Sequence, residues 1–193
     1  GTTVNGTAVS GPVRFGTDGT RDANFVAPKF QAEVYPSDLA VLGDGKLLVW
    51  GNFDTVNTTP RAGMVRLNAD GSIDQSFALS GVQNLYSVSN ASVLSDGHIL
   101  AGTRLGPYQS LLSGGISRFN SDGTVDSSFT LDANANASAF EVLPDGSLLT
   151  WSLSAPNLLN GGLFFKRIGT NGAIDNSFTG LGSAAFGHVY RDA

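Results

Sequence analysis

The chain has 193 residues, a formal net charge of -5, 41% hydrophobic residues and no cysteine. Its length suits one domain of barrel, sandwich or propeller type, and the apolar fraction is enough to bury a core. With 11 Lys and Arg against 16 Asp and Glu, nucleic acid and anionic membrane are excluded as expected partners, and the missing thiols remove a disulfide framework, thiolate catalysis and Cys-based metal sites. No apolar run approaches the ~18 residues of a membrane span. Gly1 stands where an initiator Met would, and no signal peptide is visible, so a processed chain or a piece of a longer one is expected.

In chain order, Asp-Gly or Asn-Gly occurs at Asp18-Gly19, Asp44-Gly45, Asp70-Gly71, Asp96-Gly97, Asp122-Gly123, Asp145-Gly146 and Asn171-Gly172, at intervals of 26, 26, 26, 26, 23 and 26 residues. Each dipeptide supplies the positive φ of a tight hairpin turn and is flanked by alternating apolar residues, which predicts seven β-hairpins. Alternate hairpins are alike. One kind reads RFGTDGTRDANF (14–25), RLNADGSIDQSF (66–77), RFNSDGTVDSSF (118–129) and RIGTNGAIDNSF (167–178), with arginines spaced 52, 52 and 49. The other reads VLGDGKLLVWGNF (41–53), VLSDGHILAGTRL (93–105) and VLPDGSLLTWSL (142–153). The repeat is therefore 52 residues, with four short strands: a near 38–42, b at 46–53, c at 63–68 and d at 72–77 in the second copy.

Four antiparallel strands repeated at this length predict an all-β fold, a β-propeller of blades of ~50 residues packed face to face. A β-solenoid is the competitor, but its coils are shorter and need no tight hairpins. The predicted organisation is a partial blade of strands c and d (1–30), blades at 31–82, 83–134 and 135–183, and the first strand of another at 184–193. Trp50, Gly102 and Trp151, with Phe25, Phe77, Phe129 and Phe178, fall in equivalent slots and are expected to fill the space between blades.

The stretch Val41 to Phe53, followed by Thr55 to Asn57 and Arg66 to Phe77, resembles the delta-60 repeat, a β-propeller repeat of large bacterial surface and secreted proteins. Matching stretches cover nearly the whole chain. The resemblance implies a propeller and an extracellular, cell-surface or periplasmic location, with no shared catalytic activity. The fourth copy departs from the pattern at Gly169 and Asn171.

Asn68-Asp70-Asp74 and Asn120-Asp122-Asp126 look like part of a calcium loop. A fixed cation at Arg14, Arg66, Arg118 or Arg167 would repel a metal, however, and each arginine falls opposite or diagonal to Asp22, Asp74, Asp126 or Asp175 across strands c and d. Structural Arg-carboxylate pairs are therefore expected, with no cofactor required and calcium as the weaker reading. Ten of the 16 acidic residues sit in these turn and pair slots, so the acidity reflects the fold rather than a partner. His98 is expected to be a solvated surface residue, and His188 has no local partner. The Gly180–Gly182 pair lacks the context of a dinucleotide loop, and Glu33 with Glu141 makes no glycosidase pair.

Meander geometry puts all seven turns on one face and the divergent loops on the other, at Asp54–Ala62, Gly106–Gly114, Ser154–Gly162 and the d-a connections. Tyr108, Leu111, Leu112, Pro156, Leu158 and Leu159 on those loops are the candidate partner-binding residues, weighed against folding back into the loops' own small cores. The predicted partner is another protein or further blades of the same assembly, because strand b of the terminal blade is missing and leaves open strand edges. Two function classes follow. One is a non-enzymatic extracellular scaffold that works through its loop face and open edges. The other is a surface lectin or adhesin that holds glycans with Tyr35, Tyr86, Tyr108 and nearby Asn or Asp. An enzyme whose site the sequence does not display is the more distant alternative.

Overall fold

The structure, a computed structural model, describes residues 2–4, 6–9, 11–26, 28–31, 36–105, 114–135, 137, 139–153 and 163–179. The described strands are β1 (Thr2–Val4), β2 (Thr7–Val9), β3 (Phe30–Gln31), β4 (Pro36–Val41), β5 (Leu47–Gly51), β6 (Thr55–Val56), β7 (Thr59–Pro60), β8 (Met64–Leu67), β9 (Leu85–Val93), β10 (Ile99–Leu105), β11 (Gly114–Phe119), β12 (Ala139–Val142), β13 (Leu148–Leu153) and β14 (Leu163–Ile168). They form small antiparallel sheets, and three of these, β4-β5-β8, β9-β10-β11 and β12-β13-β14, are the a-b-c strands of successive copies. No helix among the described residues is long and apolar enough to cross a membrane.

The predicted turns are present, with a geometry the dipeptides alone do not specify. Gly45 adopts φ 80 while Asp44 keeps an ordinary φ. The Gly45 amide donates to the Leu42 carbonyl at 2.9 Å, and Leu42 N donates to Lys46 O at 2.8 Å. This is a three-residue loop closed by a glycine bulge rather than a two-residue turn with both central residues at positive φ. The aspartate acts as a local cap: Asp44, Asp70, Asp96, Asp122 and Asp145 each accept the amide two residues on through Oδ1.

Strand d departs from the prediction. It is reduced to single bridges, Phe15 with Arg21, Leu67 with Ile73, Phe119 with Val125 and Ile168 with Ile174, so each of the three a-b-c sheets has three strands instead of four. Asp74 is the cause. Its carboxylate accepts the Ser76 amide and hydroxyl at 2.9 and 2.6 Å, and its carbonyl accepts Phe77 N at 3.3 Å, which bends the chain out of the ladder after one pair. The divergent loop expected at Asp54–Ala62 contains strands of its own: β6 and β7 form a hairpin that also pairs with β3. β1 and β2 make the same hairpin one repeat earlier, with Val4 opposite Thr7 as Val56 is opposite Thr59.

Strand alternation lets the sheets of the second and third copies bury both faces. Leu48, Trp50, Met64 and Phe77 pack on Val88, Ile99, Ala101 and Phe119 of the next copy. From the other face of that copy, Leu100, Ile116 and Phe129 pack on Phe140, Leu148 and Ile168. A third cluster joins Val49, Val65 and Leu67 to Phe30, Phe53 and Val56, with the Phe30 and Phe53 rings edge-on at 4.9 Å. Face-to-face stacking of small sheets is the packing of propeller blades. Trp50, Phe25, Phe77 and Phe129 are buried as expected, while Trp151 and Phe178 in the fourth copy are half-buried.

Candidate functional site: the repeated inter-sheet junction

The four arginines of the repeat are the chemical feature that recurs most faithfully. Arg66, Arg118 and Arg167 sit on strand c (β8, β11 and β14) and Arg14 at the equivalent position beside the Phe15–Arg21 bridge, and each meets the aspartate eight residues on. Nε of Arg14, Arg66 and Arg118 lies 2.8, 2.8 and 2.7 Å from an oxygen of Asp22, Asp74 and Asp126. The Arg167 to Asp175 pair is looser, at 3.8 Å. The expected pairing is therefore present in all four copies.

A guanidinium carries five N–H donors, however, and one carboxylate uses only part of them. Nη1 of Arg66 donates to Ser121 O at 2.6 Å and Nη1 of Arg118 to Thr170 O at 2.7 Å, while Nη1 of Arg14 donates to Ala69 O. Each acceptor carbonyl belongs to the c-d loop of the following copy. Nη2 of Arg66 and Arg118 reaches Ser76 and Ser128, and the guanidinium carbons of Arg14, Arg66 and Arg118 lie 5.3, 4.9 and 5.2 Å from the ring centroids of Phe25, Phe77 and Phe129. One residue thus holds its own turn, a core aromatic and the neighbouring copy.

Backbone contacts complete the junction. Val26 N donates to Asp70 O at 2.8 Å, Ala78 N to Asp122 O at 3.1 Å and Thr130 N to Asn171 O at 3.1 Å. The chain comes so close that a Cβ on Gly123 would stand 2.6 Å from Ala78 O, and Gly71 and Gly172 are covered likewise by the carbonyls of Val26 and Thr130. Glycine is needed here for clearance as well as for φ.

Burial and hydrogen bonding set the electrostatics. Burial pushes the Asp74 carboxyl up, but the Ser76 hydroxyl and amide, with Lys46 and Arg66, outweigh it and hold the group well below the usual carboxylate range. The Ser128 hydroxyl and amide, reinforced by Arg118, lower Asp126 to about 2. Lys46 Nζ stands 2.9 Å from Asp74 and 3.8 Å from Asp44. His98 occupies the same slot one repeat on, with Nδ1 3.0 Å from Asp96 and Nε2 3.5 Å from Asp126. It is half-buried between two carboxylates rather than the solvated surface residue expected, because the a-b turn leans over the c-d turn of its own copy. The acids of the suggested calcium loops are thus turned toward amides, hydroxyls and arginines. Among the described residues no group of three or more His, Cys, Asp or Glu side chains is placed to hold a metal.

Two clefts of about 550 Å³ repeat the junction on the turn face, between neighbouring a strands. Val41, Arg66, Val93 and Ser121 line one; Val93, Arg118, Val142 and Thr170 line the other. Val41 is 71% exposed. The sequence pointed to the opposite face, but Tyr108, Leu111, Leu112, Pro156, Leu158 and Leu159 lie outside the described residues, as do Tyr35, His188 and Gly180–Gly182. Tyr86 is half-buried, with the Arg104 guanidinium 5.8 Å from its ring. The inter-copy contacts of Arg14, Arg66 and Arg118 are not legible in the repeat pattern; the signal that points to them is the guanidinium's surplus of donors.

Residues 42–77 and 94–129 match the family model described as "Domain of unknown function (DUF5122) beta-propeller". Both matches run from the end of strand a to the junction phenylalanine, so the matched unit contains the arginine, its aspartate and the glycine turn. The match supports a β-propeller repeat family. No curated protein and no solved structure matches the chain.

Proposed function

We propose that this chain is a non-enzymatic scaffold of an extracellular, cell-surface or periplasmic protein, which joins protein partners or further blades into an assembly. The observation that carries the reading is the use made of the repeated polar residues. Arg66 and Arg118 direct all three guanidinium nitrogens at partners within the fold, and the carboxylates they meet are likewise engaged. Chemistry that recurs this regularly and is spent on joining sheets supports a structural task. Exposed Val41 and Val93 beside the clefts, and edge strands β4, β9 and β12, offer apolar and main-chain contacts to a partner. The location rests on the resemblance of the repeats to those of surface and secreted proteins.

A broad array of mammalian, plant and bacterial glycans probed with the full chain is expected to stay blank. Saturable binding of one glycan class that is lost in Tyr86→Ala would replace the scaffold with a lectin.

A further inference from the structure

The repeat allows each sheet face to be compared with its equivalents. Leu48, Trp50, Met64 and Phe77 of the second copy are at most 6% exposed, covered by the third copy. In the third copy the equivalents Leu100, Gly102, Ile116 and Phe129 are buried, and all but Gly102 pack on the fourth copy. In the fourth copy the equivalents are Leu149, Trp151, Phe165 and Phe178. All four are half-buried, and among the described residues no sheet lies on them. Arg167 at their edge departs from the other arginines in the same way. Its Nη2 turns to Asp145 and its Nε to Ser147, with no carbonyl of a following copy among its described partners.

The opposite half of a junction is open in the first copy. Phe15 is 46% exposed, whereas its equivalents Leu67, Phe119 and Ile168 are each 0% exposed. A Cβ on Gly19 would meet nothing within 4 Å, although the equivalent Gly71, Gly123 and Gly172 are each covered by the preceding copy's backbone. Among the described residues the chain therefore carries a plug face and a socket, of the type it joins three times internally, that no other copy covers.

We infer that the face formed by Trp151, Phe165 and Phe178, with Arg167 and the Thr179 amide, docks the Phe15–Gly19 hairpin of a second copy of this chain. By equivalence, Arg167 would leave Asp145 and donate to Thr17 O, as Arg66 does to Ser121 O, and Thr179 N would donate to Asp18 O, as Ala78 N does to Asp122 O. Phe15 would enter the apolar layer against Phe178, as Phe119 does against Phe77. The two copies contribute different surfaces, so the contact is head-to-tail, and two copies that each offer one plug and one socket can close on each other. The chain's own hairpin is not the occupant, because its Gly19 is open and its Arg167 is bonded elsewhere. This inference rests on the scaffold reading in taking assembly as the task, and it supplies the partner.

Sedimentation equilibrium of the full chain over a range of concentrations tests it. The wild type is expected to associate as a dimer or larger closed ring. Phe15→Glu (dead socket) and Trp151→Glu (dead plug) are each expected to weaken self-association by more than about a hundredfold, as loss of a central aromatic anchor does. An equimolar mixture of the two variants is expected to regain a dimer, because each supplies the half the other lacks. Arg167→Glu serves as a second plug variant if Trp151→Glu lowers the melting temperature. A monomeric wild type, single variants that associate as the wild type does, or a mixture that stays monomeric would each overturn the inference. None of these results bears on the glycan array, so the scaffold reading stands or falls separately.

Discussion

Gly123→Ala is expected to destabilise the protein by more than about 4 kcal/mol, while Gly97→Ala costs about 1–2 kcal/mol. The two glycines have nearly the same backbone conformation, with φ 93 and 88, so the penalty of an L-residue in the left-handed region is common to both. They differ in what surrounds them. A methyl group at position 97 would find Ser121 Cβ at 3.9 Å, an ordinary contact, whereas at position 123 it would meet the carbonyl oxygen and carbon of Ala78 at 2.6 and 2.7 Å. Backbone cannot rotate aside as a side chain can. The copies must separate, which breaks the bonds from Ala78 N to Asp122 O and from Ser80 N to Gly123 O and loosens the layer under Phe77. Urea titration reads both costs from the shift in midpoint at constant slope. Equal losses at the two positions would mean that the copies do not approach as described.

The second large effect is expected at Asp74. Replacement by Ala leaves Arg66 and Lys46 facing a pocket that has lost its only described carboxylate bonded to both. With side chains 14% and 7% exposed, the Arg66–Asp74 pair is nearly desolvated. Breaking such a pair from one side costs about 3 kcal/mol, most of it the penalty for the charge left behind. Asp22→Ala removes the same residue of the first copy, but the Arg14–Asp22 pair is 44% and 26% exposed, and water replaces much of what is lost. A clearly smaller loss of stability than at Asp74 is expected there. Asp74→Asn separates the two duties of the carboxylate. Its amide oxygen can still accept the Ser76 amide and keep the turn, while the charge is gone, so its cost should fall between those of Asp74→Ala and the wild type. Thermal melts of the three variants give the order.

Much of this fold was legible because the information is local. The glycine of each Asp-Gly or Asn-Gly turn needs positive φ, the apolar residues alternate within five or six positions, and the 52-residue offset aligns Arg66 with Arg118 without reference to any contact. The Arg-to-Asp pair was equally accessible, since the two residues lie eight apart across one turn. Strand d was not legible, because Asp74 fits a strand position and a turn-forming position equally well, and only the hydrogen bonds to Ser76 decide between them. The junction lay further from view. Arg66 and Ser121 are 55 residues apart, and the acceptor is a backbone carbonyl, which every residue possesses. His98 was misjudged for a related reason. A polar residue after a surface turn is usually solvated, and its half-burial depends on Asp126, which lies 28 positions away in the chain. The contrast between the two kinds of glycine is also nonlocal, since Gly97 and Gly123 are alike until a neighbouring copy is brought against one of them.

Amide hydrogen exchange at Val26, Ala78 and Thr130 tests most directly whether successive copies are locked by this junction. All three residues are exposed, and Val26 is 71% exposed, so without the junction their amides would exchange at rates near those of an unfolded chain. Each is bonded instead to a carbonyl of the next copy's turn, at 2.8, 3.1 and 3.1 Å. Protection of all three by more than about a hundredfold is expected, rising and falling together with the amides of β5 and β10 as denaturant is added. Free exchange at these three positions, while β5 and β10 stay protected, would contradict the account.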